Sequence, residues 1–207
     1  MTPSHQRRFP SEEDVRTLVE RILDGVTTSA EPSGADEVEE LQTEEAGPQP
    51  ATSRSIAIGA DHGGYPLKER IAFKLGEAGW EVTDCGTDSH TSVDYSDFAL
   101  AVAEKVSSGQ CQWGIVIDGA GIGSAMVANK VPGVRAANCW DLSSARNSRE
   151  HNHANVLSLG AGLIGEGLAW QIVEEWLATD WAGGRHARRV SKIDAIEKQY
   201  STRNEGR

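Results

Sequence analysis

Cysteine is scarce in this chain: three in 207 residues. Cys85, Cys111 and Cys139 are an odd, widely spaced set that fits neither a disulfide framework nor a zinc spacing, so a reducing cytosol is the expected compartment. Basic charge is also short. Against 31 Asp and Glu stand 20 Lys and Arg, a formal net charge of −11, which excludes general nucleic-acid binding through a basic face. No apolar run reaches the length of a membrane span. No apolar signal core follows Arg7 and Arg8 either; Pro10 and a run of acids come instead. Two motifs of common enzymes are missing. The turn after the first expected strand reads Gly59-Ala-Asp-His-Gly-Gly64, which is not the dinucleotide-binding G-x-G-x-x-G, and no G-x-S-x-G nucleophile elbow occurs.

What is present falls into three parts. Residues 1–53 hold 4 basic against 12 acidic residues, so most of the net charge belongs to the front of the chain. Within it, Ser11 followed by Asp14 resembles a capping box. Val15, Leu18, Val19, Ile22, Leu23 and Val26 then recur at helical spacing, which predicts an amphipathic helix ending near residue 26. Residues 27–53 are rich in Glu, Pro, Ser, Thr, Ala and Gly and poor in large apolar residues, the composition of a flexible acidic linker. A lone helix of about four turns is marginal in water, so its stripe needs a partner, either elsewhere or on the main domain.

From residue 54 to 207, strand and helix patterns alternate. Strands are expected at 55–59, 80–83, 113–117, 134–139 and 155–159. Helices are expected at 66–79, 95–107, 124–130, 142–151, 164–178 and about 187–200. Such alternation predicts a three-layer α/β/α domain, Rossmann-like, around a five-stranded parallel sheet, with ligands at the carboxyl ends of the strands.

The richest stretch is Gly114-Ile-Val-Ile-Asp-Gly-Ala-Gly-Ile-Gly-Ser124. An apolar run stops at Asp118, and glycines then alternate at 119, 121 and 123. Alternating glycines let backbone N–H groups converge on an anion. A carboxylate beside such a nest suits proton abstraction next to a carbonyl, although a plain strand-to-helix turn with a capping Asp has the same pattern. Further chemistry-bearing segments are Asp61-His62-Gly63-Gly64, Arg149-Glu150-His151-Asn152-His153 and the segment from Gly183 to Arg189. Arg185 and Arg189 share a face if a helix begins near Arg185, which suits a phosphate monoester or a solvated basic patch. His151 and His153 would share a face on a strand, but no third metal ligand is near, so no metal and no cofactor are expected.

These motifs together resemble the ribose-5-phosphate isomerase B / galactose-6-phosphate isomerase family, over residues 55 to about 199. The matching pieces are residues 59–64, Asp94-Tyr95, the nest through Ala128-Asn129-Lys130, residues 132–136, Arg149 to Asn152 with Asn155-Val156, and Gly184-Arg185-His186 with Arg189. The resemblance implies aldose–ketose isomerisation of a phosphorylated sugar through an enediolate, in a homodimer, or a tetramer, with active sites between subunits. It implies ring opening by His151, sugar contacts from Asp61, His62, Tyr95 and Asn152, and a phosphate clamp of Arg185 and Arg189, with Arg135 or Arg149 assisting. It also implies an enediolate hole from the amides of Gly119, Ala120, Gly121, Ile122, Gly123 and Ser124. The chain departs from the family at the base. Many members carry Cys where Asp118 stands and Thr where Ala120 stands, and another branch uses Glu where Ser124 stands. Asp118 is therefore the expected base, with Ser124 or water covering for the Thr. The expected substrate is ribose 5-phosphate; a tetrose or hexose phosphate, or a non-catalytic binding or scaffold role, remains open. The front end resembles the encapsulation peptides of bacterial microcompartment cargo, implying shell-protein docking through residues 11–26 and a cytoplasmic location inside such a compartment, with no membrane or nucleic-acid partner.

Overall fold

The computed structural model describes residues 54–201; the helix expected within 1–26 and the linker at 27–53 lie outside the described residues. Five strands form the sheet: β1 (Ser55–Ala60), β2 (Glu81–Asp84), β3 (Trp113–Asp118), β4 (Ala136–Asn138) and β5 (Val156–Gly160). Their order is β2-β1-β3-β5-β4 and every pairing is parallel. All of β1 and β5 is buried, and β3 nearly so. Central parallel strands are covered on both faces, which is why these segments read as unbroken apolar runs. The edge strands β2 and β4 are only four and three residues long, and short edges offer little template for pairing with another chain.

Six helices complete the described part: α1 (Tyr65–Glu77), α2 (Tyr95–Ser107), α3 (Ile122–Ala128), α4 (Leu142–Glu150), α5 (Glu166–Ala178) and α6 (Gly184–Ser201). On one face of the sheet, Ile56, Ile58, Ile115, Ile117, Leu157 and Leu159 pack with Leu67, Ile71 and Leu75 of α1, Ala145 of α4, and Ile172, Val173 and Trp176 of α5. On the other, Ala57, Val116 and Val156 meet Ala99, Val102 and Ala103 of α2 and Ala128 of α3. The alternation of these two sets along each strand is the period-two pleat expressed as two cores. The architecture is therefore the three-layer α/β/α fold expected from the sequence.

α6 differs from the other helices. Only His186 and Val190 of its 18 residues are buried. It is held through Asp194, which pairs with Arg135 at 3.2 Å, and Glu197, which accepts from the Gly133 amide at 3.0 Å. Ile193, Ile196 and Tyr200 are exposed. Among the described residues, no helix is long and apolar enough to cross a membrane.

Most elements fall within a residue or two of the positions expected. α3 begins two residues earlier than its local pattern suggests, at Ile122 rather than Ser124. Its start is set by Asp118, whose carboxylate accepts from the amides of Gly121 and Ser124.

Candidate active site

The carboxyl end of β3 brings a first group of residues together. Asp118 is 5 % exposed. Its Oδ1 accepts from the amides of Ala120, at 2.8 Å, and Gly121. Its Oδ2 accepts from the Ser124 amide at 3.0 Å and the Ser124 hydroxyl at 2.5 Å. Four donors fill the lone-pair sites of an ionised carboxylate. Burial pushes the Asp118 pKa up. The Ser124 hydroxyl and the amides of Gly121, Ser124 and Ala120 together outweigh it, so the group lies below the usual carboxylate range. Asp118 is thus ionised at neutral pH and gripped by part of the nest. Of the six loop residues expected to hold an enediolate, Ala120, Gly121 and Ser124 turn their amides onto Asp118. The amides of Gly119, Ile122 and Gly123 are not among its donors.

Neighbouring loops close on this point. After β1, Asp61 is buried and its Oδ1 accepts from the amides of Gly63 at 2.9 Å and Gly64 at 3.0 Å. Gly63 in turn packs beside the Gly119 amide. His62 Nδ1 accepts from the Val93 amide at 3.2 Å, so the neutral ring carries its proton on Nε2. This bond ties the β1–α1 loop to the segment leading into α2. Tyr95, at the start of α2, lays its ring against Gly123, where any side chain would collide with it. Asp61, His62, Tyr95 and the loop 118–124 therefore form one group.

The second group lies elsewhere. Each helix after a parallel strand runs back, so the end of α4 is at the amino end of the sheet. His151 and Asn152 follow α4 directly, and the chain then enters β5 at Val156. Asp118 is level with Gly160, four residues further along β5, which puts Asp118 roughly 13 Å beyond Val156 along the strands. His151, read from the sequence as lying at a helix end, is thus at the opposite end of the sheet from Asp118. Its ring stacks on His186 with centroids 4.2 Å apart, and its Nδ1 lies 2.8 Å from Asn147 Nδ2. Arg185 and Arg189 are on α6, which does begin at Gly184, and Arg185 Nε donates to His186 Nε2 at 3.3 Å. Among the described residues no hydrogen bond, ion pair or ring contact joins this group to the first.

Three further residues of this second region have other partners. His153 is not on a strand with His151; it stacks on Trp181 at 4.7 Å. Burial, with Arg135 and Arg149 nearby, pushes its pKa down. Arg149 is a core residue: its guanidinium sits 3.9 Å over Trp113 and 5.0 Å from Trp176, and Nη1 donates to the Ala154 carbonyl at 2.7 Å. Desolvation lowers its pKa to about 10. Arg135 is engaged by the His153 carbonyl and Asp194. Among the described residues, no three His, Cys, Asp or Glu side chains form a group able to hold a metal ion.

The sequence reading did not single out Asn138 and Ser158, which brace the nest from below. Ser158 Oγ donates to the Gly121 carbonyl, and Asn138 Nδ2 donates to the carbonyls of Ala120 and Ser158. The signal was available: one serine in the middle of the otherwise apolar run of β5.

Comparison with known proteins places these residues in context. A family model described as Ribose/Galactose Isomerase matches residues 56–193. The chain is 44 % identical over 146 residues to ribose-5-phosphate isomerase B of Escherichia coli, covering 70 % of this chain and 98 % of that protein. It is 43 % identical over 146 residues to D-erythrulose-4-phosphate isomerase of Pectobacterium atrosepticum, covering 70 % and 96 %. The solved structure of ribose-5-phosphate isomerase B from Clostridium thermocellum superimposes with a TM-score of 0.70 at 56 % identity, covering 70 % of this chain and 99 % of that one.

Proposed function

The chain belongs to the ribose/galactose isomerase family, an aldose–ketose isomerase by that kinship, and from this premise we propose that it interconverts ribose 5-phosphate and ribulose 5-phosphate. The reading is carried by one conjunction: an ionised carboxylate and a loop of amides at the end of β3, in a chain that aligns along nearly the full length of proteins named for this reaction. His151 opens the sugar ring. Asp118 takes the proton from C2 and returns it to C1, while the hydroxyl proton passes from O2 to O1 and the loop amides hold the enediolate. Three of the four donors on Asp118 are backbone amides. The Ser124 hydroxyl is the one that can rotate away and free an Oδ2 lone pair for the proton. Arg185 and Arg189 grip the phosphate as charge-assisted donors.

The assignment includes a homodimer with shared sites. The two groups of residues lie at opposite ends of one sheet, so a second copy packed end against end brings His151, Asn152, Arg185 and Arg189 to the Asp118 loop. The surface at the nest end carries exposed Ile122, Met126, Trp140, Leu142 and Leu163, and α6 carries exposed Ile193 and Ile196. Apolar surface of that extent calls for a covering partner, and the second copy is that partner. A four-carbon substrate is the second reading, favoured by the near-equal likeness to the erythrulose-4-phosphate enzyme.

A coupled assay over aldose phosphates of four to six carbons tests the substrate. Ribose 5-phosphate is expected to give the highest kcat/KM, without added metal or nucleotide. Arg185→Gln with Arg189→Gln is expected to raise KM at least tenfold, at about 1.5 kcal/mol or more per charge-assisted bond lost. Highest turnover on a tetrose phosphate would replace the five-carbon reading.

The front of the chain serves targeting in this proposal: residues 11–26 dock on microcompartment shell proteins through the Val15–Val26 stripe, with 27–53 as tether. Deleting residues 1–53 is expected to leave kcat within about twofold and abolish co-sedimentation with shells. Unfolding of the truncated domain would mean that the stripe belongs to its core.

A further inference from the structure

We propose that Ser158 and Asn138 are positioning residues for the loop that receives the enediolate, with Ser158 acting through the peptide unit between Gly121 and Ile122. This rests on the isomerase reading of that loop. Ser158 is fully buried in β5, between Leu157 and Leu159. A buried hydroxyl is kept where it has a partner, and Ser158 Oγ donates to the Gly121 carbonyl at 2.5 Å. Asn138 is the register partner of Ser158 on β4. Its Nδ2 donates to the Ala120 carbonyl at 3.4 Å and the Ser158 carbonyl at 3.2 Å. Both acceptors are carbonyls, so the orientation of this side-chain amide is fixed by chemistry. Nδ2 also fills the space a Cβ on Gly121 would need, and Gly121 has φ 77°. Only glycine takes that conformation freely.

The consequence follows from peptide planarity: C=O and N–H of a trans unit point in opposite directions. Asn138 draws the Ala120 carbonyl to its side, which turns the Gly121 N–H the other way, onto Asp118 Oδ1. Ser158 draws the Gly121 carbonyl toward β5, which turns the Ile122 N–H away from the sheet. That N–H is not among the four donors on Asp118. The Gly121 carbonyl also accepts from the Ala125 amide at 3.2 Å; the buried hydroxyl adds the bond from the sheet side that aims the Ile122 amide at the place where the oxyanion forms, while Asn138 sets the amide that holds the carboxylate. Two adjacent peptide units share the work of the nest: one for the base, one for the reacting oxygen.

Ser158→Ala tests this, because it removes the hydroxyl without adding bulk. On ribose 5-phosphate, kcat is expected to fall about tenfold, the worth of one aimed hydrogen bond, with KM within about twofold. The affinity for a phosphorylated hydroxamate, a planar anion shaped like the enediolate, is expected to fall by the same factor. The affinity for ribitol 5-phosphate, which has the phosphate but no oxyanion, is expected to stay unchanged. Asn138→Ala, which loosens the Gly121 amide on Asp118, is expected to lower kcat with the affinities for both ligands within about twofold. Unchanged kcat and hydroxamate affinity in Ser158→Ala, or equal loss of both ligands, overturns the proposal. If the wild type turns over no aldose phosphate but Ser158→Ala still loses the hydroxamate selectively, the isomerase reading fails and the role of Ser158 stands. A wild type that binds neither ligand overturns both.

Discussion

Asp118→Asn is expected to lower kcat by about 10²–10⁴-fold, the range for loss of a general base, while ribitol 5-phosphate still binds. The side chain is held in one place: both oxygens are fixed by the loop that begins one residue later. Asparagine keeps the shape but offers a single acceptor oxygen, so at least one of the four donors loses its partner. The variant is therefore also expected to be less stable by about 1–3 kcal/mol at pH 7, the cost of a buried donor left unpaired. The pH dependence separates charge from shape. The folded pKa of Asp118 lies below its unfolded value. Its contribution is complete above the ordinary carboxylate pKa of about 3.9 and is lost as pH falls through the lower folded value. Denaturant unfolding of wild type and variant should thus show a gap at pH 7 that narrows below about pH 4. A gap that is the same at both pH values would mean that the carboxylate's charge does not stabilise the loop. Retained turnover would remove Asp118 from the chemistry.

Co-expression of Asp118→Asn with His151→Ala is expected to restore activity to about a quarter of wild type, although each variant alone is nearly inactive. The estimate assumes random pairing through a two-fold interface. Half the dimers are then mixed, and each mixed dimer has one site built from two intact halves and one built from two damaged halves. The premise is the placement of His151 at the amino end of the sheet and of Asp118 at its carboxyl end. Sites contained within one chain would give no recovery, because no chain in the mixture would carry an intact pair.

The sequence revealed the sheet more fully than the site. β1, β3 and β5 are readable because they are covered on both faces, so their apolar runs are unbroken and stop at Asp61 and Asp118. The nest is readable because alternating glycines have few other uses. The direction of the Asp118 pKa was not, since burial and hydrogen bonding oppose each other and only the number of donors decides. Nor was the start of α3, whose capping group is four residues upstream of the helix. The distance of His151 from Asp118 has a topological reason: α4 runs back from the strand ends, so the residue that follows it lies at the amino end of the sheet. Arg149 offered the charge of a phosphate ligand, yet its planar cation lies against two indoles that are far from it in sequence.

The thin attachment of α6 has a consequence for how this protein melts. Two buried residues, the Arg135–Asp194 and Gly133–Glu197 links and the His151–His186 stack are modest recompense for ordering 18 residues. In the proposed dimer, the helix that carries Arg185 and Arg189 would owe its order to the neighbouring copy. Tertiary and quaternary organisation would then be a single cooperative transition, and its temperature is expected to rise with protein concentration.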